Sequence, residues 1–121
     1  MRLEHVNLTV SDLDRSVAFY SDLLDLTVRW KGDLDGSRRA AHVGDDNAYL
    51  ALFQAADQGV ARESYTTPGY NHIGFVVDDL EDAAVRLKTL GAEFGEIQDY
   101  EPGRRLYCYD PDGHEVELVQ Y

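Results

Sequence analysis

An internal repeat limits the possible folds more than any other feature of the chain. Displaced by 67 positions, His5-Val6-Asn7-Leu8-Thr9-Val10-Ser11-Asp12-Leu13 falls on His72-Ile73-Gly74-Phe75-Val76-Val77-Asp78-Asp79-Leu80. Near the end of each half, a displacement of 66 brings Leu50-Ala51-Leu52-Phe53-Gln54 onto Val116-Glu117-Leu118-Val119-Gln120. A chain that states one pattern twice folds as two copies of one supersecondary unit. The copies cover about residues 1–54 and 70–121. The linker expected at 55–69 carries Gly59 and the turn dipeptide Pro68-Gly69, with no apolar periodicity. The 121 residues together make one domain. Half that length is too short to bury a comfortable core alone, which favours pairing of modules within and between chains.

Each copy reads β-α-β-β-β. Residues 3–10 alternate, with Val6, Leu8 and Val10 on one face and His5, Asn7 and Thr9 on the other, which is the period of a strand. Ser11-Asp12-Leu13-Asp14 reads as a capping box. It opens a helix whose Leu13, Val17, Tyr20, Leu23 and Leu24 share one stripe. Strands are expected at 26–30, 38–43 and 48–54. The second copy gives a strand over 71–77 and a helix near 80–90, with Leu80, Ala83, Ala84, Leu87 and Leu90 inward and Gly91 as its stop. Further strands are expected near 92–97, 104–109 and 115–120. The fold class is therefore α+β, two βαβββ modules with their helices outside.

Composition removes whole classes of function. With 23 acids against 11 bases and a net charge of −12, the chain lacks the cationic surface that nucleic acid or an anionic membrane requires. No run approaches the ~20 apolar residues of a membrane span, and the first residues hold no cleavable apolar leader. Cys108, the single cysteine, has no internal disulfide partner, which fits a reducing cytoplasm. The acidity reads either as a well-solvated surface or as adaptation to a salty cytoplasm.

The polar faces point to a site. By the repeat, His5 and His72 are equivalent positions of equivalent strands. Glu117 lies in the last strand, with Val116 and Leu118 turned the other way. All three face away from the helices, as the donors of a 2-His-1-carboxylate metal site would. Either histidine alone would read as an ordinary hydrogen-bonded residue. The first-copy equivalent of Glu117 is Ala51, which has no donor atom, so three protein ligands leave open positions. Tyr107 shares strand parity with Arg105 and Tyr109, so it reads either as a packing aromatic or as a donor to an oxyanion. Cys108 and Leu106 point toward the helix layer, which makes the thiol structural. Arg104 and Arg105 read as a clamp for an anionic group or as a solvated edge. Asn7, Arg105, Tyr49 and Phe53 are the candidate substrate-binding residues. His42 and His114 read as surface residues. Asp110-Pro111-Asp112-Gly113 forms the turn that aims Glu117.

Four segments resemble the vicinal oxygen chelate superfamily. They are Leu3-Glu4-His5-Val6, Ser16-Val17-Ala18-Phe19-Tyr20, Asn71-His72-Ile73-Gly74-Phe75 and Tyr109-Asp110-Pro111-Asp112-Gly113-His114-Glu115-Val116-Glu117-Leu118. That superfamily contains glyoxalase I, fosfomycin-resistance thiol transferases, extradiol dioxygenases, methylmalonyl-CoA epimerase and bleomycin-resistance proteins. The resemblance implies curved sheets cupping a divalent metal, Fe2+ or Mn2+ before Zn2+ or Ni2+, on His5, His72 and Glu117. It also implies a homodimer with sites shared between subunits, and a small substrate that chelates the metal through adjacent oxygens. In glyoxalase I and the epimerase the position of Ala51 carries a fourth ligand. Tyr107 matches a tyrosine of the dioxygenase motif, although no histidine stands at 98–100. Asn7 replaces a threonine of the fosfomycin enzymes, and residues 100–104 depart from their potassium loop. The first reading is extradiol-dioxygenase-like chemistry. The alternatives are a metal-free, bleomycin-resistance-like binder of a cationic drug, and a thiol-dependent lyase or transferase of lactoylglutathione-lyase or fosfomycin-resistance type.

Overall fold

The alternating segment at the start of the chain forms β1 (His5–Val10), and the apolar stripe after it forms α1 (Leu13–Leu24). Then come β2 (Thr27–Leu34), β3 (Arg38–Gly44) and β4 (Tyr49–Gln54). The second copy gives β5 (His72–Val76), α2 (Leu80–Thr89), β6 (Gln98–Tyr100), β7 (Gly103–Tyr109) and β8 (Glu115–Gln120). This computed structural model describes residues 1–34, 38–56 and 65–121. It divides into two units, Met1–Gly59 and Val60–Tyr121. The linker expected at 55–69 falls in part on 57–64, including Gly59, which lie outside the described residues.

Each unit holds one four-stranded sheet, in the orders β1-β4-β3-β2 and β5-β8-β7-β6. The first strand of each runs parallel to the last, and the remaining pairs are antiparallel. The registers repeat as the sequence does. His5 lies opposite Tyr49 and Asn7 opposite Ala51, while His72 lies opposite Glu115 and Gly74 opposite Glu117.

The helices begin alike. Asp12 accepts from the backbone N–H of Arg15 at 3.1 Å, and Asp79 from that of Asp82 at 2.9 Å. The cap is thus Asp12 and not Ser11, and the capping box does not close, because Arg15 has no carboxylate to reach back. A second acceptor arrives from the sheet. Gln54 Oε1 takes the N–H of Leu13, and Gln120 Oε1 that of Leu80, each at 3.1 Å. At the far end of α2, Gly91 sits at φ +68°, while Gly91 and Ala92 donate to the carbonyls of Lys88 and Leu87.

The core of each unit lies between helix and sheet. Leu13, Val17, Tyr20 and Leu23 are buried with Leu8, Val10, Val43, Leu50 and Leu52. Leu80, Ala83 and Leu87 are buried with Leu106, Cys108, Val116 and Leu118. Leu24, Ala84 and Leu90, expected inside, are only half-buried. Each fully buried Leu or Val contributes about 1.5–3 kcal/mol, so these faces fix which side of each sheet remains open.

Two strands differ from expectation. β2 runs on to Leu34, with a register irregularity between Val28 and Trp30. The strand expected at 92–97 is instead β6, at Gln98–Tyr100. Before it, Phe94 forms only an isolated bridge to Cys108, and the register slips by one residue between that bridge and the Gln98–Arg105 pair. Gly95 lies in the slip; a glycine there offers no side chain to pin a ladder. Among the described residues no helix is long and apolar enough to cross a membrane.

Candidate metal and substrate site

In the second unit, register places His72, Tyr107 and Glu117 on the open face of the sheet. Tyr107 lies opposite Glu117 on β7, and Arg105 precedes it on the same face. Glu117 is buried, at 9% exposure, and both its oxygens are engaged. Oε2 stands 3.0 Å from His72 Nε2, and Oε1 accepts from Arg105 Nη1 at 2.8 Å. The edge of the Tyr107 ring meets His72 at 5.8 Å, and the Arg105 guanidinium lies 4.7 Å above the Tyr100 ring. Burial, then the negative charge of Glu117, raises the Tyr107 phenol above its ordinary value, so it keeps its proton as a donor. The Tyr65 hydroxyl donates to Glu115.

The hairpin between β7 and β8 sets this geometry. Asp110 Oδ1 accepts from the N–H groups of Asp112 and His114, both at 2.9 Å, and Gly113 takes φ +87°. In the first unit Asp45 plays the same part, accepting from Asn47 and Ala48.

The open face of the first unit carries a line of rings, one from each strand, with Phe53 as a second on β4. His5 stacks on Tyr49 at 5.1 Å and 19°, Tyr49 on His42 at 4.4 Å and 29°, and His42 meets Trp30 at 5.0 Å. The Arg29 guanidinium lies 4.8 Å above Tyr49. Ala51, between His42 and Asn7 in the ladder, is small enough to let these rings approach. Asn7 is exposed, and Phe53, opposite Thr9 and Ala40, is half-buried. His42 is therefore not a plain surface residue. It faces Ala51 as Tyr107 faces Glu117, which makes it the first-unit counterpart of Tyr107. Burial, then the nearby His5 and Arg29, lowers its pKa and keeps the ring neutral near pH 7.

The arginine clamp is not formed. Neighbouring strand residues face opposite sides, so Arg104 leaves Arg105 and pairs with Glu81 of α2, with a second contact to Gln120 at 3.3 Å. Cys108 is fully buried among apolar groups, which push its thiol up to about 12, with Asp110 adding to the effect.

The donor chemistry of the second unit suits a cation. His72 Nδ1 faces Asn71 Oδ1 at 2.7 Å and Glu115 Oε1 at 3.5 Å, and its Nε2 faces Glu117 Oε2, so acceptors surround the ring. A cation between Nε2 and Oε2 would join the two as donors. Donors on neighbouring corners of a metal with bonds of about 2.1 Å stand about 3 Å apart, which matches. Among the described residues no group of three or more His, Cys, Asp or Glu is gathered for a metal; the second unit offers a pair. Sequence reasoning missed Glu4, Asn71 and Glu115. The signal was present, because Glu4 and Asn71 each directly precede a candidate ligand.

A family model described as the Glyoxalase/Bleomycin resistance protein/Dioxygenase superfamily matches residues 2–118. The Glutathione transferase FosA of Serratia marcescens is 34% identical over 120 residues, covering 96% of this chain and 78% of that protein. The lactoylglutathione lyase of Salmonella typhimurium is 32% identical over 129 residues, covering 99% and 93%. Among solved structures, the glyoxylase/bleomycin resistance protein/dioxygenase domain from Frankia sp. EAN1pec superposes with a TM-score of 0.80 at 30% identity, covering 96% of this chain and 94% of the other.

Proposed function

The chain belongs to the glyoxalase/bleomycin resistance protein/dioxygenase superfamily, the vicinal oxygen chelate family that its motifs resemble, and we propose that it is a divalent-metal-dependent enzyme with His5, His72 and Glu117 as ligands. The observation that carries this reading is the approach of His72 Nε2 to the buried carboxylate of Glu117, 3.0 Å from Oε2, on the open face of the sheet. When bound, the ion supplies Lewis-acid polarisation of a small substrate held through two adjacent oxygens. Tyr107, kept protonated, donates to the substrate oxygen on which charge develops. Arg105 would offer a positive charge to an anionic group of the substrate. Tyr49, Asn7 and Phe53 present a stacking and hydrogen-bonding face to its organic part. The working form is a cytoplasmic homodimer with sites shared between subunits, and Fe2+ or Mn2+ precede Zn2+ or Ni2+ as its ion.

Thiol-dependent transfer now stands ahead of dioxygenase chemistry, because relatives at 34% and 32% identity are a glutathione transferase and a lactoylglutathione lyase. Between those two, Ala51 favours transfer, since it supplies neither a fourth ligand nor a proton-transfer carboxylate. A metal-free drug binder would have no use for the buried Glu117 beside His72. The test is thiol consumption by metal-loaded protein given glutathione with fosfomycin or with methylglyoxal, beside oxygen uptake with catechol. Metal-dependent conjugation that is lost in Glu117→Gln is expected. Oxygen uptake alone would restore the dioxygenase reading, and tight drug binding without any metal would overturn both.

A further inference from the structure

The two candidate histidine ligands are held in the same way. His5 Nδ1 lies 2.8 Å from Glu4 Oε2, and His72 Nδ1 lies 2.7 Å from Asn71 Oδ1. The partner is the preceding residue in each case, on the two halves of a repeat that otherwise differ at this position. A carboxylate oxygen and an amide oxygen can only accept, so each interaction places the ring proton on Nδ1. His5 then presents Nε2 as a lone pair, and His72 presents its Nε2 toward Glu117 Oε2 at 3.0 Å. Glu4 is itself anchored, because its carbonyl accepts from the Tyr49 N–H at 3.0 Å and its carboxylate from the Tyr49 hydroxyl at 3.5 Å. Tyr49 also stacks on His5 at 19° to its plane, so one side chain fixes the ring and its proton acceptor together. In the second unit, Glu115 Oε1 lies 3.5 Å from His72 Nδ1 as a further acceptor, at the position equivalent to Tyr49.

We infer that Glu4 and Asn71 are positioning residues, which hold His5 and His72 as Nδ1–H tautomers so that Nε2 of each is ready to bind a divalent cation. This deepens the metal reading above and rests on it. A free imidazole favours the opposite tautomer, so without its partner each ring must exchange its proton position before binding. Outer partners of ligating histidines typically govern affinity by about 10–100-fold.

The experiment uses protein labelled with 15N-histidine and freed of metal, read by long-range 1H–15N correlation, with Mn2+ affinity measured by titration calorimetry. Wild type is expected to show Nδ1–H at both rings. Glu4→Ala is expected to move His5 to Nε2–H and weaken Mn2+ about tenfold. Glu4→Gln removes the same charge but keeps an acceptor, and is expected to hold both tautomer and affinity near wild type. Asn71→Ala and Asn71→Asp form the matching pair for His72. Nε2–H at either ring in wild type overturns the inference. So does a Glu4→Gln loss equal to that of Glu4→Ala, which would mark a pure charge effect. Wild-type protein with both Nδ1–H tautomers that takes up no Mn2+ overturns the metal reading instead, so the two failures are told apart.

Discussion

Trp30 is the only tryptophan of the chain, and its indole lies across Gly32 on the open face of the first unit. A Cβ at Gly32 would stand 2.3 Å from Cζ2, 2.8 Å from Cη2 and 3.0 Å from Cε2 of that ring. Gly32→Ala therefore has to swing the indole off the strand, and the contact with His42 at 5.0 Å goes with it. Such an aromatic contact contributes about 0.5–1.5 kcal/mol. Against that, replacing glycine by alanine in extended backbone returns about 0.4–1 kcal/mol by restricting the unfolded chain. The two nearly cancel, so the urea midpoint is expected to shift little while the fluorescence changes. Emission should move to the red and acrylamide quenching should rise. The pH response should vanish as well. In wild type the His42 pKa is lowered from 6.5, so its neutral ring stacks fully above that value. Stabilisation from the stack is lost as pH falls through the lowered folded-state value, and the new imidazolium quenches Trp30. Gly32→Ala with the emission, quenching and pH profile of wild type would refute this account of the face.

Gln54→Ala and Gln120→Ala each remove the sheet-borne acceptor of a helix N-terminus, at 3.1 Å in both units. Each should cost about 1 kcal/mol, or roughly 3–5 °C in a thermal melt, and equal losses would confirm that the duplication extends to this bond. The Cys108 thiol, pushed up to about 12 by burial, should ignore Ellman's reagent at pH 8 in folded protein and react at once in urea. Tyr107→Phe should lower turnover on the order of 100-fold while leaving KM and metal uptake near wild type, as expected of a group that serves the developing charge. A parallel loss of metal uptake would assign Tyr107 to packing around His72.

Much of this was written in the repeat. The matching of His5 with His72 gave the strands, helices and open faces, because apolar alternation leaves each sheet one side to bury. Even the Gln54 and Gln120 caps lie at equivalent positions. Three features escaped. The equivalence of His42 and Tyr107 needs a third displacement, of 65, and two unlike side chains hide it. The place of β6 depends on a one-residue slip around Gly95 that no local periodicity records. The supposed Arg104–Arg105 clamp fails on strand parity alone, a rule already applied to Cys108. Glu4 and Asn71 were visible as the residues before the two histidines, but the contacts across the sheet that accompany their bonds to the rings, Tyr49 to Glu4 and Glu115 to His72, were not.

His5, His72 and Glu117 are proposed to bind one divalent ion. Elemental analysis of protein purified without chelator, then stripped and titrated with Mn2+ or Fe2+, tests it most directly. One ion per chain is expected in wild type, lost in His72→Ala and Glu117→Gln and strongly weakened in His5→Ala. Full occupancy in those variants, or no uptake by folded wild-type protein, would contradict it.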